Sequence, residues 1–163
     1  MQNIQPTVIS INISKGGIPK LPVESLYLNT DGFVGDGHNH EKHRTPIQAV
    51  CLQDIEKLYE LSKEGYVLAA GTTGENLTVS NLNVNSLSIG TTLNFSSGVV
   101  LELTKVRKPC YVLDAIDPNL KTDIVGRCGM YAKVLKEGII SVGDGIEVIQ
   151  LPASDRCDNM AHY

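Results

Sequence analysis

The sequence predicts a mainly β fold, a β-barrel carrying a few short helices, and three observations lead there. Val, Ile and Thr together make up about a quarter of the chain, and β-branched side chains fit a pleated surface better than a helix. The 15 Gly and 7 Pro residues are scattered as punctuation, with no flexible linker among them. Apolar residues alternate with a period of two in several runs, the spacing of a strand with one buried face.

The elements follow in order. Ile9, Ile11 and Ile13 share one face of an N-terminal strand. Residues 35–44 form a polar loop, and the apolar run Ala49-Val50-Cys51-Leu52 after it reads as another strand. Over residues 54–64 the period changes. Ile55, Leu58 and Leu61 fall at i, i+3, i+6, with Glu56, Lys57, Glu60 and Lys63 on the remaining arc. Gly65 follows where a helix end favours a left-handed residue, so this is one short amphipathic helix. Val99, Leu101 and Leu103 share one face of a later strand, which Pro109 ends. Residues 129–135 suit a strand as well as a helix. Residues 87–95 and 140–148 echo each other: two alternating apolar residues lead to Gly, and alternation resumes after a short turn. Two such units fit a closed or nearly closed barrel, which removes exposed edges.

At 163 residues and 17.6 kDa the chain reads as one domain, with a core over about residues 8–149 and a tail at 150–163. A chain of this length buries enough surface to fold without staples. The net charge of −4 argues against nucleic acid and against an anionic membrane surface. A small anionic ligand held by local Arg and Lys remains compatible with it. No signal peptide is visible in the first ten residues, and no apolar run approaches a spanning helix. Cys51, Cys110, Cys128 and Cys157 form no CxxC pair and read as free thiols in a reducing compartment, which places the protein in the cytoplasm.

Three segments carry chemistry. Gly35-Asp36-Gly37-His38-Asn39-His40-Glu41-Lys42-His43-Arg44 holds three imidazoles that can ligate a metal and an Arg that can grip a phosphate with parallel hydrogen bonds. A solvated surface loop has the same composition, and a zinc site here needs a further ligand from elsewhere. Gly71-Thr72-Thr73-Gly74-Glu75-Asn76 can form an anion-binding nest of backbone N–H groups or an ordinary glycine turn. No Lys-Ser/Thr pair follows it, so it is not a nucleotide P-loop. In Thr104-Lys105-Val106-Arg107-Lys108-Pro109-Cys110 a thiol follows three basic residues, and cations favour the nucleophilic, metal-ligating thiolate. A buried structural cysteine is the alternative. Cys128, beside Arg127, is a second candidate thiol; Cys51 belongs to an apolar strand, and Cys157 lies among acids.

Gly35-Asp36 with a His-rich loop, then Gly74-Glu75-Asn76-Leu77, then Arg107-x-Pro-Cys110 resembles the MOSC family, named for the C-terminal domain of molybdenum-cofactor sulfurases. The ending Gly129-Met130-Tyr131-Ala132-Lys133-Val134-Leu135-x-x-Gly138, followed by Gly143-Asp144, is similar to that family's closing pattern. The resemblance runs from about Val8 to about Ile149. It implies a barrel similar to the small barrel domain of pyruvate kinase and a site around Cys110. That thiol would carry sulfur or ligate molybdenum. Arg107 would clamp an anion, and Glu75 and Asn76 would line the site for molybdenum cofactor (molybdopterin). Apart from the resemblance, polar loops of a barrel gather at one end, which places His38, His43 and Arg44 at the same cavity, with Cys128 as a second thiol there. The family's His-Gly-Gly pattern is absent from the loop. The pyridoxal-phosphate desulfurase domain of the large sulfurases is also absent, so that cofactor belongs to a separate partner. Implied partners are a pterin cofactor, a cysteine desulfurase or a molybdoenzyme. Two other readings stay open: a non-catalytic binding module with a structural thiol, and a metal site at His38, His40 and His43.

Overall fold

The computed structural model describes residues 4–15, 18–37 and 46–149. Among them the chain runs through β1 (Thr7–Ile13), β2 (Leu21–Val23), β3 (Ser25–Asn29), β4 (Gly32–Phe33), β5 (Val50–Asp54) and α1 (Ile55–Lys63). It continues through β6 (Leu77–Ser80), β7 (Thr92–Phe95), β8 (Val100–Val106), α2 (Leu120–Asp123), β9 (Met130–Lys136), β10 (Gly138–Ser141) and β11 (Ile146–Ile149). One sheet has the order β11-β7-β8-β9-β5-β6-β1-β2, and a smaller one the order β10-β3-β4. Every neighbouring pair is antiparallel except β5–β6. That pair can be parallel because α1 lies between its strands and carries the chain back to the starting edge.

The mainly β class is therefore observed, as a large mixed sheet with few helices. Strand pairing leaves β11 and β2 as the outer strands, so the ladders themselves form no closed barrel. The expected closure has a local counterpart in three backbone hydrogen bonds. Ile146 donates to the Pro6 carbonyl (2.8 Å), Val8 to Asp144 (2.9 Å) and Gly143 to Val8 (2.8 Å).

The expected helix is α1. Leu58 and Leu61 have no exposed surface, and burial of each contributes roughly 2 kcal/mol. The helix stops in a Schellman arrangement: the Tyr66 N–H donates to the Leu61 carbonyl, the Gly65 N–H donates to the Ser62 carbonyl, and Gly65 has φ +110°. Residues 129–135 resolve as a strand, β9. The echo also acquires a meaning, because its second halves are neighbours: Ile146 pairs with Phe95 and Val148 with Leu93.

β1 departs from the expected alternation. Ile11 is buried but Ile9 is 42 % exposed, while Val8 is buried. The β1–β6 register shifts between Val8 and Ser10. A bulge there adds one residue and reverses the facing of everything before it. The main core lies among β1, β5, β6, β7, β8 and β9, and a satellite core of Leu58, Leu61, Tyr66, Leu68, Leu113, Leu120, Ile124 and Cys128 sits under the helices.

Asp54 precedes α1, yet its carboxylate does not cap that helix. Both oxygens accept from the Val84 N–H, at 3.1 and 3.0 Å. Burial pushes its pKa up to about 6; the Val84 N–H pulls against that rise and Glu56 adds to it. The folded protein thus holds this proton more tightly than the unfolded chain, whose carboxyl titrates near 3.8. Stability contributed by the protonated group is fully present below about pH 4 and is lost as pH climbs through 6, by roughly 3 kcal/mol at the upper limit. Urea titrations across this window should show the decline in the parent and a flatter profile in Asp54→Asn. Parallel profiles would refute the assignment.

Candidate functional site

The end of β8, the turn before β6 and the start of β9 meet at one place. β8 stops at Val106, and the Arg107 N–H donates to the Gly129 carbonyl at 3.0 Å. That bond continues the β8–β9 register by one step and turns the Arg107 side chain toward the 71–76 turn. Its Nη2 donates to the Thr73 carbonyl at 2.5 Å. Nη1 is sealed from solvent and, among the described residues, has no acceptor within hydrogen-bond distance. Gly74 makes room for this arrangement: its φ is +92°, and a Cβ there would lie 2.8 Å from Ile18 Cγ2 and 3.4 Å from Arg107 Nη2. Only glycine accepts both conditions without strain.

Around the guanidinium stand two buried thiols, Cys51 and Cys128, with the Tyr131 phenol and the Glu75 carboxylate. Burial opposes the charge on Arg107, but these four neighbours outweigh it and hold the group protonated more firmly than usual. Burial pushes the Cys51 thiol up to about 11 against the lowering pull of Arg107. The same two causes act on Cys128, with a net rise. Tyr131 is also raised, by burial and then by Cys51, with Arg107 opposing.

Glu75 has no exposed surface. Its carboxylate accepts from Thr73 Oγ1 (2.8 Å), the Gly71 N–H (3.0 Å) and Thr78 Oγ1 (2.8 Å). Asn76 spends its amide inside the fold as well. Its Oδ1 accepts from the Cys51 N–H at 3.0 Å, and its Nδ2 donates to Asp36 Oδ2 at 2.8 Å and the Asn12 carbonyl at 3.4 Å. Asp36 in turn receives Lys20 Nζ on both oxygens, at 2.7 and 2.6 Å, and this ion pair is nearly buried.

Cys110 is exposed and begins the 3-10 turn Tyr111–Ala115. The strand ends three residues before Pro109, earlier than the sequence implies, so Cys110 sits on a turn beyond the sheet. Arg107, Glu75 and Cys128 are brought together, and Asn76 joins them through the Cys51 backbone. His38, His43 and Arg44, with His40, lie outside the described residues. Among the described residues no group of three His, Cys, Asp or Glu side chains is placed to hold a metal ion. Two surface clefts of about 420 and 430 Å³ lie elsewhere, lined by Tyr66 and Asp123 and by Asp54 and Asn81 respectively, and neither includes Arg107 or Cys110.

Sequence reasoning did not single out Lys20, Asn12 and Tyr131 for the site. Asn12 carried one available signal: it is a fully buried polar residue in an isoleucine-rich strand, and its Nδ2 reaches Thr78 Oγ1 at 3.0 Å.

Residues 36–147 match the MOSC domain family. The chain belongs to that family. This MOSC protein is similar to the uncharacterised protein YflK of Bacillus subtilis (strain 168), with 30 % identity over 91 % of this chain and 76 % of YflK. It also resembles a protein named reductase from Gibberella moniliformis, with 28 % identity over 78 % of this chain but only 24 % of that longer protein. Its fold matches the crystal structure of the YuaD protein of Bacillus subtilis with a TM-score of 0.76 at 20 % identity, over 91 % of this chain and 98 % of that one.

The two thiols with opposite environments should react differently. Cys51 is buried with a raised pKa, whereas Cys110 is exposed, and the thiolate is the reacting form. Competitive alkylation near neutral pH, read by peptide mass spectrometry, should label Cys110 at least tenfold faster. Equal labelling would remove Cys110 as the reactive thiol.

Proposed function

We propose that this MOSC protein binds molybdenum cofactor or a related molybdopterin and carries sulfur to it through Cys110. The observation that carries the reading is an exposed thiol three residues from a buried guanidinium whose Nη1 has no acceptor among the described residues. A buried donor without a partner costs about 1–3 kcal/mol, and an anionic group would satisfy it. The donor set fits a phosphate-bearing, sulfur-ligated cofactor: Arg107 would hold the anion, and Cys110 offers the soft sulfur donor that molybdenum accepts. When bound, the cofactor supplies a metal centre able to take up sulfur. Glu75, Asn76, Asp36 and Lys20 act behind them by fixing the 71–76 turn and hence the carbonyl that orients Arg107. Cys110 would receive sulfane sulfur as a persulfide from a separate cysteine desulfurase, with a molybdoenzyme as the recipient partner. We read the large sheet as a barrel drawn together by the hydrogen bonds of Val8, Gly143 and Ile146, in one domain that works in the cytoplasm. His38, His43 and Arg44 belong to this proposal as further cofactor contacts.

Elemental analysis with pterin fluorescence, on protein purified from its own host, tests the reading. Molybdenum with pterin, or a persulfide at Cys110 in peptide maps, supports it. A chain holding zinc without pterin favours the histidine site. A chain with neither, and with an inert Cys110, favours a binding module with a structural thiol.

A further inference from the structure

Cys128 was expected only to line the site, and its position gives it a further task. The Arg107–Gly129 hydrogen bond brings the residues that follow β8 and those that precede β9 to the same open end of that ladder. The Leu113 N–H donates back to the Cys110 carbonyl at 3.1 Å, and the Leu113 side chain packs in the same buried cluster as Cys128. The two cysteines therefore flank the same end of the ladder, and Cys110 lies within electrostatic range of Cys128. Cys110 faces solvent, while Cys128 has no exposed surface. Outside reagents therefore meet the first thiol and not the second.

We propose that Cys128 is the resolving thiol of Cys110. The inference rests on the sulfur-carrier reading above and adds the step by which sulfur leaves. A persulfide holds its outer sulfur at the sulfane level, two electrons short of sulfide. An acceptor that takes sulfur as sulfide needs those electrons, and a second thiol provides them. Cys128 Sγ attacks Cys110 Sγ, so a Cys110–Cys128 disulfide bond forms and the bond from Cys110 Sγ to the outer sulfur breaks. The electron pair of the broken bond leaves with the outer sulfur, and the Cys128 proton leaves with it, giving hydrogen sulfide. Both cysteine sulfurs end in the disulfide, and a small thiol reductant restores the pair. Burial keeps Cys128 as the thiol at rest, and Arg107, in electrostatic range, opposes that effect as the proton leaves.

The test loads the full chain with inorganic polysulfide, removes the excess anaerobically, and follows released sulfide alongside a non-reducing peptide map. The expected result is about one equivalent of sulfide per chain, with a Cys110–Cys128 peptide appearing in step. Cys128→Ala should keep the persulfide on Cys110 and release sulfide at least tenfold more slowly. A parent protein that carries the persulfide yet forms no such disulfide overturns the inference and leaves the carrier reading intact. This parent measurement decides the matter even if the variant folds poorly. A Cys110 that takes up no sulfur overturns both.

Discussion

Cys110→Ser should reduce sulfur uptake from inorganic polysulfide to background, a loss of at least about a hundredfold, while leaving the fold unchanged. The argument is chemical. A serine hydroxyl stays protonated near neutrality and cannot hold a sulfane atom, whereas a thiolate both attacks and retains it. The argument is also positional. Cys110 is exposed at the start of a 3-10 turn, so a change from sulfur to oxygen alters no buried contact. Uptake located by peptide mass spectrometry separates Cys110 from Cys157, while Cys51 and Cys128 are both buried. Undiminished uptake in the serine variant would sink the carrier reading.

Gly129→Ala should cost about 3–5 kcal/mol, a large share of a domain's usual stability. Gly129 has φ +86°, a conformation that costs an L-residue roughly 1–2 kcal/mol. A Cβ there would also lie 2.0 Å from the Leu52 carbonyl oxygen, so backbone must move. That movement would disturb several partners at once. The Gly129 N–H donates to Asn85 Oδ1 at 2.9 Å, and its carbonyl accepts from Asn85 Nδ2 and from the Arg107 N–H. Gly126→Ala is the matched control. Its φ is +81°, yet nothing lies within 4 Å of the added Cβ, so only the conformational cost remains. Urea denaturation should separate the two variants by at least about 2 kcal/mol. Equal losses would mean that the clash at Leu52 relaxes freely.

Much of the fold was legible where local pattern and tertiary packing agree. α1 combined a helical period with Gly65 at its end, and β8 buried the face that alternation assigned to Leu101 and Leu103. β1 misled because a bulge is a pairing irregularity with the partner strand, and nothing in Val8-Ile9-Ser10 marks it. Strand pairing does not confirm the barrel expectation: among the described residues a short stretch near Pro6 and Val8 meets residues 143–146 by backbone hydrogen bonds. At the site, Arg107, Glu75 and Cys110 stood in recognisable motifs. Lys20 and Asn12 did not, because their roles come from partners brought by folding: Lys20 meets Asp36, and Asn12 meets the Glu75 carbonyl. Asn76 stood in a motif the sequence singled out, but the amide's three inward bonds appear only in three dimensions.

The hydrogen bonds that join Pro6 and Val8 to Asp144, Gly143 and Ile146 also bear on how the chain is made. Synthesis delivers the early partner first, and the late one only after more than a hundred residues have emerged from the ribosome. Until then, polar groups at the start of β1 face water without their final partners, an open edge of the kind that invites wrong pairing. Contacts this distant in sequence also form slowly, because closing so long a loop carries an entropic cost before any bond is gained. The last step of folding should therefore follow translation, and newborn chains stalled before residue 143 should be the ones that chaperones hold.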